Sequence, residues 1–254
     1  MKQLPNIFTL INLLFGCLAI TAALQNGITI QYSQEGTQYI DIPEKIWMAS
    51  LFIGLAALVD FADGFVARLL NATSELGKQL DSLSDVVSFG VAPSVIVYQF
   101  LRMSFAKDAG GIDASYWLLA PAFFIAMAAA YRLAKFNLDV RQQNYFLGVP
   151  TPAVGMLIAS FPLIYWHTDN AMVILFLTSK WFWYAIILLL SGLMLSEIPI
   201  ISLKFKNYKL SDNLPKVALL AVALLSALFL GWISVPVTFI AYIILSLFFK
   251  KSIQ

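Results

Sequence analysis

Residues 51–85 read LFIGLAALVDFADGFVARLLNATSELGKQLDSLSD, an apolar run that ends in acidic residues and is followed by a second acidic segment. Asp60 and Asp63 end the apolar run, and Asp81 and Asp85 open the next membrane helix. Each acid at membrane depth costs roughly 2.5 to 3.5 kcal/mol on insertion scales, so four of them need a compensating partner. Side chains three or four residues apart share a helix face, which predicts one carboxylate pair on each helix.

The link between the two helices, residues 69–78, is short. We therefore expect antiparallel neighbours whose carboxylate pairs face each other at one level, near the membrane interface. Four converging carboxylates without a nearby Cys or His form an all-oxygen site that suits Mg²⁺ or Mn²⁺. Two such ions, about 3.5 to 4 Å apart, would suit a diphosphate substrate. The alternative is structural ion pairing with Arg68 and Lys78, but two basic residues cannot neutralise four aspartates.

The composition of the whole chain agrees with a membrane protein. Of 254 residues, 60% are hydrophobic and 12% are charged, and the mean hydropathy is +0.81. A bilayer crossing needs about 20 apolar residues, so we predict an all-α, polytopic membrane helical bundle that forms a single integral membrane domain, 1–254. The net charge of +2 is too small to indicate nucleic-acid binding. About eight transmembrane helices are predicted, near residues 8–25, 46–70, 78–102, 115–138, 149–167, 171–197, 215–232 and 234–250.

Basic residues set the expected orientation of these spans. With a cytoplasmic N-terminus, only Lys45, Arg102, Lys107 and Lys180 of the sixteen basic residues lie outside. Lys and Arg beside membrane helices resist translocation, so both termini and the acidic cluster are expected on the cytoplasmic side. The span at 171–197 is the weakest of the eight, because Lys180 lies within it.

Three residues that follow the first acids suit a nucleotide. Gly64 and Ala67 are small, and a missing side chain lets a flat base or sugar approach the helix backbone. Arg68 can hold a phosphate in a bidentate fork. Close helix packing is the alternative explanation for the two small residues.

The acidic segment also resembles a family signature. Eight positions stand in the pattern D-x-x-D-G-x-x-A-R-x(8)-G-x-x-x-D-x-x-x-D, which is similar to that of the CDP-alcohol phosphatidyltransferases; they are Asp60, Asp63, Gly64, Ala67, Arg68, Gly77, Asp81 and Asp85. The resemblance implies that fold, two metal ions held by the four aspartates, and Asp85 as the general base. It implies a homodimer by analogy alone.

The same resemblance suggests how a CDP-linked lipid is held. Its nucleotide diphosphate would lie against Gly64, Ala67, Arg68 and Gly77, and near a small polar residue that we assign to Ser74. Pro5, Asn6 and Thr9 resemble a P-N-x-x-T motif whose polar side chains reach the nucleotide. Taken alone, Asn6 and Thr9 are more often interfacial or capping residues. The resemblance covers residues 4 to about 155, which we expect to form the catalytic core, with further helices at about 171–250.

Within the family, three segments look like those of the membrane-embedded phosphatidylserine synthases. They are LDSLSDVVSFGVAP at 80–93, RLAKFN at 132–137 and GVPTP at 148–152. Lys135 stands where an arginine is more usual, which keeps the charge but not the bidentate geometry. This resemblance implies CDP-diacylglycerol and L-serine as substrates in a cell membrane, which we expect to be the bacterial plasma membrane.

The acceptor can also be considered from its chemistry. Serine brings a carboxylate but no phosphate, so its pocket needs one or two cations, for which Arg132 and Lys135 are candidates. The alternative explanation for these two residues is that they are basic residues that flank a membrane helix on its cytoplasmic side. Asp85 would take the serine hydroxyl proton as the oxygen attacks phosphorus and CMP leaves. The alternatives are a sister transferase that uses glycerol 3-phosphate or inositol phosphate and, more remotely, an ion-coupled transporter.

Overall fold

Helices make up most of the computed structural model, which describes residues 4–25, 29–32, 38–41, 45–69, 74–108, 111–138, 146–201 and 210–249. A π-helical segment, Val86–Val91, joins two of the α-helices, and short 3-10 turns lie at Gly111–Asp113, Ala120–Phe123 and Gly231–Ile233. The α-helices are α1 Leu4–Leu24, α2 Ile46–Leu69, α3 Glu75–Asp85, α4 Ala92–Ala106, α5 Tyr116–Leu119, α6 Phe124–Leu138, α7 Thr151–His167, α8 Ala171–Leu177, α9 Lys180–Leu195, α10 Leu210–Leu230 and α11 Ser234–Phe248.

Two small antiparallel strand pairs accompany the helices. Strand β1, Thr29–Tyr32, pairs with β2, Gln38–Asp41, between α1 and α2. Strand β3, Phe146–Leu147, precedes α7 and pairs with β4, Pro199–Ile200, which follows α9. The second pair therefore fixes the start of α7 against the end of α9.

Five helical stretches of the described residues are long and apolar enough to cross a membrane, or six if a bent pair counts as one span. They are Pro5–Leu24, Ile46–Val66, Glu75–Ala106, Tyr116–Leu138 and Asn213–Phe248, and the bent pair is α8 with α9. The all-α polytopic membrane bundle predicted from the sequence is confirmed. The count of eight spans is not confirmed.

Three features explain the difference in the count. Helix α7 has 17 residues, which at 1.5 Å per residue gives about 25 Å, less than a hydrocarbon core of roughly 30 Å. The predicted span at 171–197 is broken, because α8 and α9 meet at an angle of 67°. Helices α10 and α11 are counted as one stretch, yet they pack against each other, and Gly231 between them has a φ of 53°. They therefore form a helical hairpin.

The stretch that contains α3, the π-helical segment and α4 is the central one. In its most apolar part 72% of the residues are buried inside the bundle, against 17% for Asn213–Phe248. Phe89, Phe100 and Leu101 are fully buried, and the Phe100 ring stacks on Trp183 of α9 with 4.7 Å between centroids. The acidic residues of α3 are thus attached to the most enclosed part of the molecule.

Helix α1 packs on this central stretch, whose serine hydroxyls donate hydrogen bonds to backbone carbonyls of α1. The Ser84 hydroxyl donates to the Thr9 carbonyl at 2.9 Å, and the Ser88 hydroxyl donates to the Asn12 carbonyl at 3.0 Å. One helical turn further along α1, Gly16 lies so close to Ser88 that a Cβ on Gly16 would be 2.9 Å from the Ser88 Cα. This close approach brings the polar face of α1 against the aspartates of α3.

Candidate functional site

The four aspartates predicted as a cluster come together where α2 and α3 face each other. One carboxylate oxygen from each of Asp60, Asp63 and Asp81 lies within 4.8 Å of the other two. Asp85 joins them, because its side chain interacts with that of Asp60. The spacing of three and four residues thus acts as predicted, since each pair occupies the facing side of its helix.

Burial makes the charge of this cluster costly. Asp63 and Asp85 are only 6% and 7% exposed. In the described part of the chain the ion pairs are Lys135 with Glu197 and Lys180 with Asp108, and neither includes a cluster residue. Lys78 donates instead to the Asn137 carbonyl at 3.1 Å, so the alternative of an ion pair with Lys78 is not supported. The side chain of Arg68 lies outside the described residues.

Neutral side chains of α1 contact two of the buried carboxylates. The Thr9 hydroxyl lies 3.0 Å from Asp63 Oδ2 and 3.1 Å from the Pro5 carbonyl, and it can donate to one of them at a time. The Asn12 side-chain amide donates to Asp85 Oδ1 at 3.2 Å. Neutral donors orient carboxylates without neutralising them. The oxygen-only set therefore fits a hard divalent cation such as Mg²⁺ or Mn²⁺.

A cavity of about 510 Å³ opens beside the cluster. Five of the residues predicted to bind the CDP-linked lipid line it together with Asp63 and Asp81; these five are Asn6, Thr9, Gly64, Ser74 and Gly77. A Cβ on Gly64 would meet nothing within 4 Å, so close helix packing does not explain this glycine. Ala67 and Arg68 belong to α2, but their side chains are outside the described part of the structure.

Ser74 caps the start of α3, where this helix borders the cavity. Its hydroxyl accepts a hydrogen bond from the Gly77 amide at 3.0 Å, which satisfies one of the free donors at the helix start. A Cβ on Gly77 would lie 3.0 Å from Asn6 Oδ1 and 3.1 Å from the Ser74 hydroxyl. A glycine at this position therefore keeps the Asn6 side chain close to the start of α3.

The two predicted acceptor cations have different surroundings. Arg132 of α6 is 7% exposed, and its Nη1 donates to the Thr151 hydroxyl at 3.3 Å. It interacts electrostatically with Asp85, and its buried Nε has no hydrogen-bond partner among the described atoms. Lys135 is more exposed and pairs with Glu197 at 3.1 Å. The structure therefore brings Arg132 to the acidic cluster and directs Lys135 to a separate ion pair.

Helices α3 and α6 are also joined beside the site. Asn137 near the end of α6 donates through its amide to the Ser82 hydroxyl at 2.7 Å, and Lys78 donates to the Asn137 carbonyl. These bonds fix the helix that carries Arg132 relative to the helix that carries Asp81 and Asp85.

Two residues of the site were missed in the sequence. Asn12 is fully buried and contacts Asp85; its signal was a polar residue three positions after Thr9, on the same face of an otherwise apolar helix. Tyr242 of α11 is 7% exposed and interacts with Arg132. No local pattern distinguishes Tyr242, because its neighbours in the sequence are uniformly apolar.

The fold and the site are those of a membrane enzyme, because a helical membrane bundle holds a buried carboxylate cluster beside a cavity. The family model of the CDP-alcohol phosphatidyltransferases matches residues 2–196, and the chain belongs to this family. Helices α10 and α11 lie beyond the matched range.

Three relatives that share one enzyme name make the comparison more specific than the family does. The chain is 30% identical over 227 residues to the CDP-diacylglycerol–serine O-phosphatidyltransferase of Helicobacter pylori strain J99. The aligned region covers 89% of this chain and 81% of the relative. The chain is 31% identical over 165 residues to the Bacillus subtilis protein of the same name, or 65% of this chain and 78% of that protein. The Mycobacterium tuberculosis protein of that name is 27% identical over 250 residues, covering 95% and 76%.

Proposed function

We propose that this protein transfers the phosphatidyl group of CDP-diacylglycerol to the hydroxyl of L-serine, releasing CMP. The observation that carries the proposal is a cluster of four aspartates, with no ion-pair partner in the described structure, beside a cavity lined by the glycines and polar residues of the family signature. The family membership and the names of the relatives agree with it.

In this proposal Asp60, Asp63, Asp81 and Asp85 hold two divalent ions, Mg²⁺ or Mn²⁺. Such ions neutralise diphosphate oxygens and stabilise the displaced phosphate. Thr9 and Asn12 orient the carboxylates of Asp63 and Asp85 through the hydrogen bonds described above. The CDP moiety lies in the cavity against Gly64, Ser74 and Gly77, and against Asn6 at its rim, with Ala67 and Arg68 completing the subsite.

Asp85 acts as the general base. It takes the proton of the serine hydroxyl as that oxygen attacks the phosphorus, and the bond to the CMP oxygen breaks. Asn12 supports this role, because its hydrogen bond to Oδ1 orients the Asp85 carboxylate within the cluster. The enclosed position of Asp85 also keeps competing water away from the reacting atoms.

Arg132 binds the serine carboxylate in this proposal. Its buried guanidinium lies near Asp85 and retains an unpaired Nε, so it has donor capacity for one carboxylate. Lys135 would contribute only after leaving Glu197, and we place it at the edge of the acceptor subsite. One enclosed arginine suits the carboxylate of serine better than the dianionic phosphate of glycerol 3-phosphate or inositol phosphate.

A transporter is disfavoured by the position of the acids. Asp60 and Asp63 lie in the second half of α2, and Asp81 and Asp85 lie in α3, the first part of the Glu75–Ala106 stretch. This favours a position on one side of the bilayer, whereas coupling-ion sites of transporters lie near the midplane. The enclosed cation and the signature residues of the cavity have a direct role in phosphatidyl transfer and none in an ion pathway.

The surrounding organisation is part of the same proposal. Residues 1–254 form one integral membrane domain with a catalytic core at about 4–155, and the further helices at about 171–250 complete the bundle. The distribution of basic residues supports an active site that faces the cytoplasm of a bacterial plasma membrane. We also propose a homodimer, by family analogy.

The decisive experiment is acceptor choice. Purified protein is incubated with CDP-diacylglycerol and Mg²⁺ or Mn²⁺ and, in separate reactions, with L-serine, glycerol 3-phosphate, inositol phosphate or choline. CMP release and the lipid formed are measured. We expect phosphatidylserine as the main product. A better rate with either phosphorylated acceptor would refute serine as the acceptor, while the assignment as a phosphatidyltransferase would stand. The absence of CMP release with every acceptor would refute phosphatidyl transfer itself.

A further inference from the structure

Helix α11 holds a backbone segment near the acceptor side of the site, although it lies beyond the range that the family model matches. The Tyr242 hydroxyl donates to the Ile201 carbonyl at 2.9 Å. One turn later, the Ser246 hydroxyl accepts from the Ile201 amide at 3.2 Å. Both backbone polar groups of Ile201 are therefore held by α11. Tyr242, Ser246 and Ile201 are all buried, so these bonds are shielded from water.

Ile201 follows the strand that supports the start of α7. Strand β4 pairs with β3 in the register Phe146 with Ile200 and Leu147 with Pro199. The chain then runs from β3 through Gly148, whose amide donates to the Ile198 carbonyl at 2.9 Å, to Thr151. Two residue pairs and one further hydrogen bond thus connect the residues held by α11 to the first residue of α7.

Thr151 is the residue that contacts Arg132. It is fully buried and accepts from Arg132 Nη1 at 3.3 Å. Tyr242 also lies in the neighbourhood of Arg132. A cavity of about 540 Å³ is lined by Tyr242 from α11 and by Pro150 and Ala153 from the start of α7. The start of α7, whose Thr151 contacts Arg132, and α11 therefore face each other across this cavity.

We infer that Tyr242 is a positioning residue for the acceptor carboxylate, acting through the orientation of Arg132. An arginine side chain has several rotatable bonds, so a guanidinium binds a carboxylate well only when its surroundings fix it. Thr151 contacts the guanidinium, and Tyr242 holds the segment that supports Thr151. The inference rests on the proposed function and assigns the C-terminal hairpin a share in acceptor recognition.

The test compares two variants that each remove one tyrosine hydroxyl. Tyr242→Phe deletes the bond to Ile201, and Tyr184→Phe deletes a bond of 2.7 Å to the Leu118 carbonyl at the other end of the α5–α6 span. The KM for L-serine, the KM for CDP-diacylglycerol and kcat are measured for both. Tyr242→Phe is expected to raise the serine KM about 3- to 10-fold, the effect of one net hydrogen bond, with the other two constants within about twofold. Tyr184→Phe is expected to leave all three unchanged.

A double-mutant cycle with Arg132→Ala tests the route of the effect. If Tyr242 acts through Arg132, Tyr242→Phe adds less than about twofold to the serine KM once Arg132 is alanine. Ser246→Ala, which removes the second bond to Ile201, is expected to raise the serine KM in the same direction and replaces Tyr242→Phe if that variant does not fold.

The outcomes separate the two claims. An unchanged serine KM in Tyr242→Phe and Ser246→Ala, or a full additional increase on the Arg132→Ala background, overturns the positioning role while serine transfer stands. A wild-type protein that releases no CMP with serine overturns the proposed function, and the positioning role with it.

Discussion

Replacing Asn12 by leucine separates stability from activity at the acidic cluster. Asn12 is fully buried, its amide nitrogen donates to Asp85 Oδ1 at 3.2 Å, and its own Oδ1 has no partner among the described atoms. The Asn12 amide group is thus oriented so that its nitrogen bonds Asp85, and in this orientation its oxygen has no partner among the described atoms. Leucine has a similar size and neither group, so the change removes the contact without opening a large cavity.

The expected magnitudes follow from these two atoms. Loss of a hydrogen bond to a charged group costs about 1.5 to 3 kcal/mol, and removal of a buried unsatisfied acceptor recovers about 1 to 3 kcal/mol. The free energy of unfolding should therefore change by no more than about 1 to 2 kcal/mol. In the proposed mechanism transfer depends on an oriented Asp85, so kcat should fall roughly 10- to 100-fold, equivalent to about 1.4 to 2.7 kcal/mol.

The assay measures kcat and the two KM values of Asn12→Leu together with thermal unfolding in detergent. Gln99→Leu is a matched control, because Gln99 also joins the central stretch to α1, through a 2.7 Å bond to the Ala23 carbonyl far from the acids. This control should lower the unfolding temperature and leave kcat per folded molecule unchanged. Full kcat in Asn12→Leu, or a loss that merely follows the unfolded fraction, would refute the role of Asn12.

Three further predictions concern the base, the metal and the start of α7. Asp85→Asn should abolish transfer while CDP-diacylglycerol binding, measured by equilibrium titration, stays within about threefold, because in the proposed mechanism the other acids would still hold metal. Thorough chelation should abolish turnover, and titration of the apoprotein with Mn²⁺ should raise the unfolding temperature as the aspartates are neutralised. Gly148→Ala should lower the free energy of unfolding by about 2 to 5 kcal/mol in denaturation experiments, because Gly148 has a φ of 73° and its Cβ would lie 2.5 Å from the Met194 carbonyl.

Each of these predictions has a contrary result. Normal turnover of Asp85→Asn would remove Asp85 from the role of base, and turnover in protein with verified absence of metal would contradict a metal requirement. Gly192→Ala is the control for Gly148→Ala, since a Cβ on Gly192 meets nothing within 4 Å; it should be neutral or stabilising. Equal stability of the two glycine variants would show that the turn before α7 tolerates a side chain.

Local periodicity explains why much of the acidic cluster was predictable. Asp60 with Asp63 and Asp81 with Asp85 share helix faces by their spacing alone. The short link keeps the two helices near each other, and both pack on α1. Membrane insertion adds a strong constraint, because an apolar run must become a helix and an acid within it must find a partner. These rules act within a few tens of residues, which is the range that a sequence pattern describes.

The span boundaries were harder to predict, since hydropathy does not report direction. The apolar run at 171–197 contains a bend at Thr178 and Ser179, and the length of α7 is limited by Pro150 before it and by Thr168 after it. Continuous hydropathy across such breaks reads as a simple crossing. Helices α10 and α11 likewise pack as a hairpin about Gly231, although they lie in one uninterrupted helical stretch.

Composition and residue spacing act locally, so the sequence alone predicts a helical membrane protein whose four acids form two pairs on helix faces. The residues that contact those acids, and the cation that lies near them, follow from the tertiary structure. Asn12 meets Asp85 across 73 positions of the chain, and Arg132 lies near Asp85 while Lys135 pairs with Glu197. Such partners depend on how helices rotate and approach one another, and that geometry follows from the packing of the whole bundle, including Gly16 against Ser88.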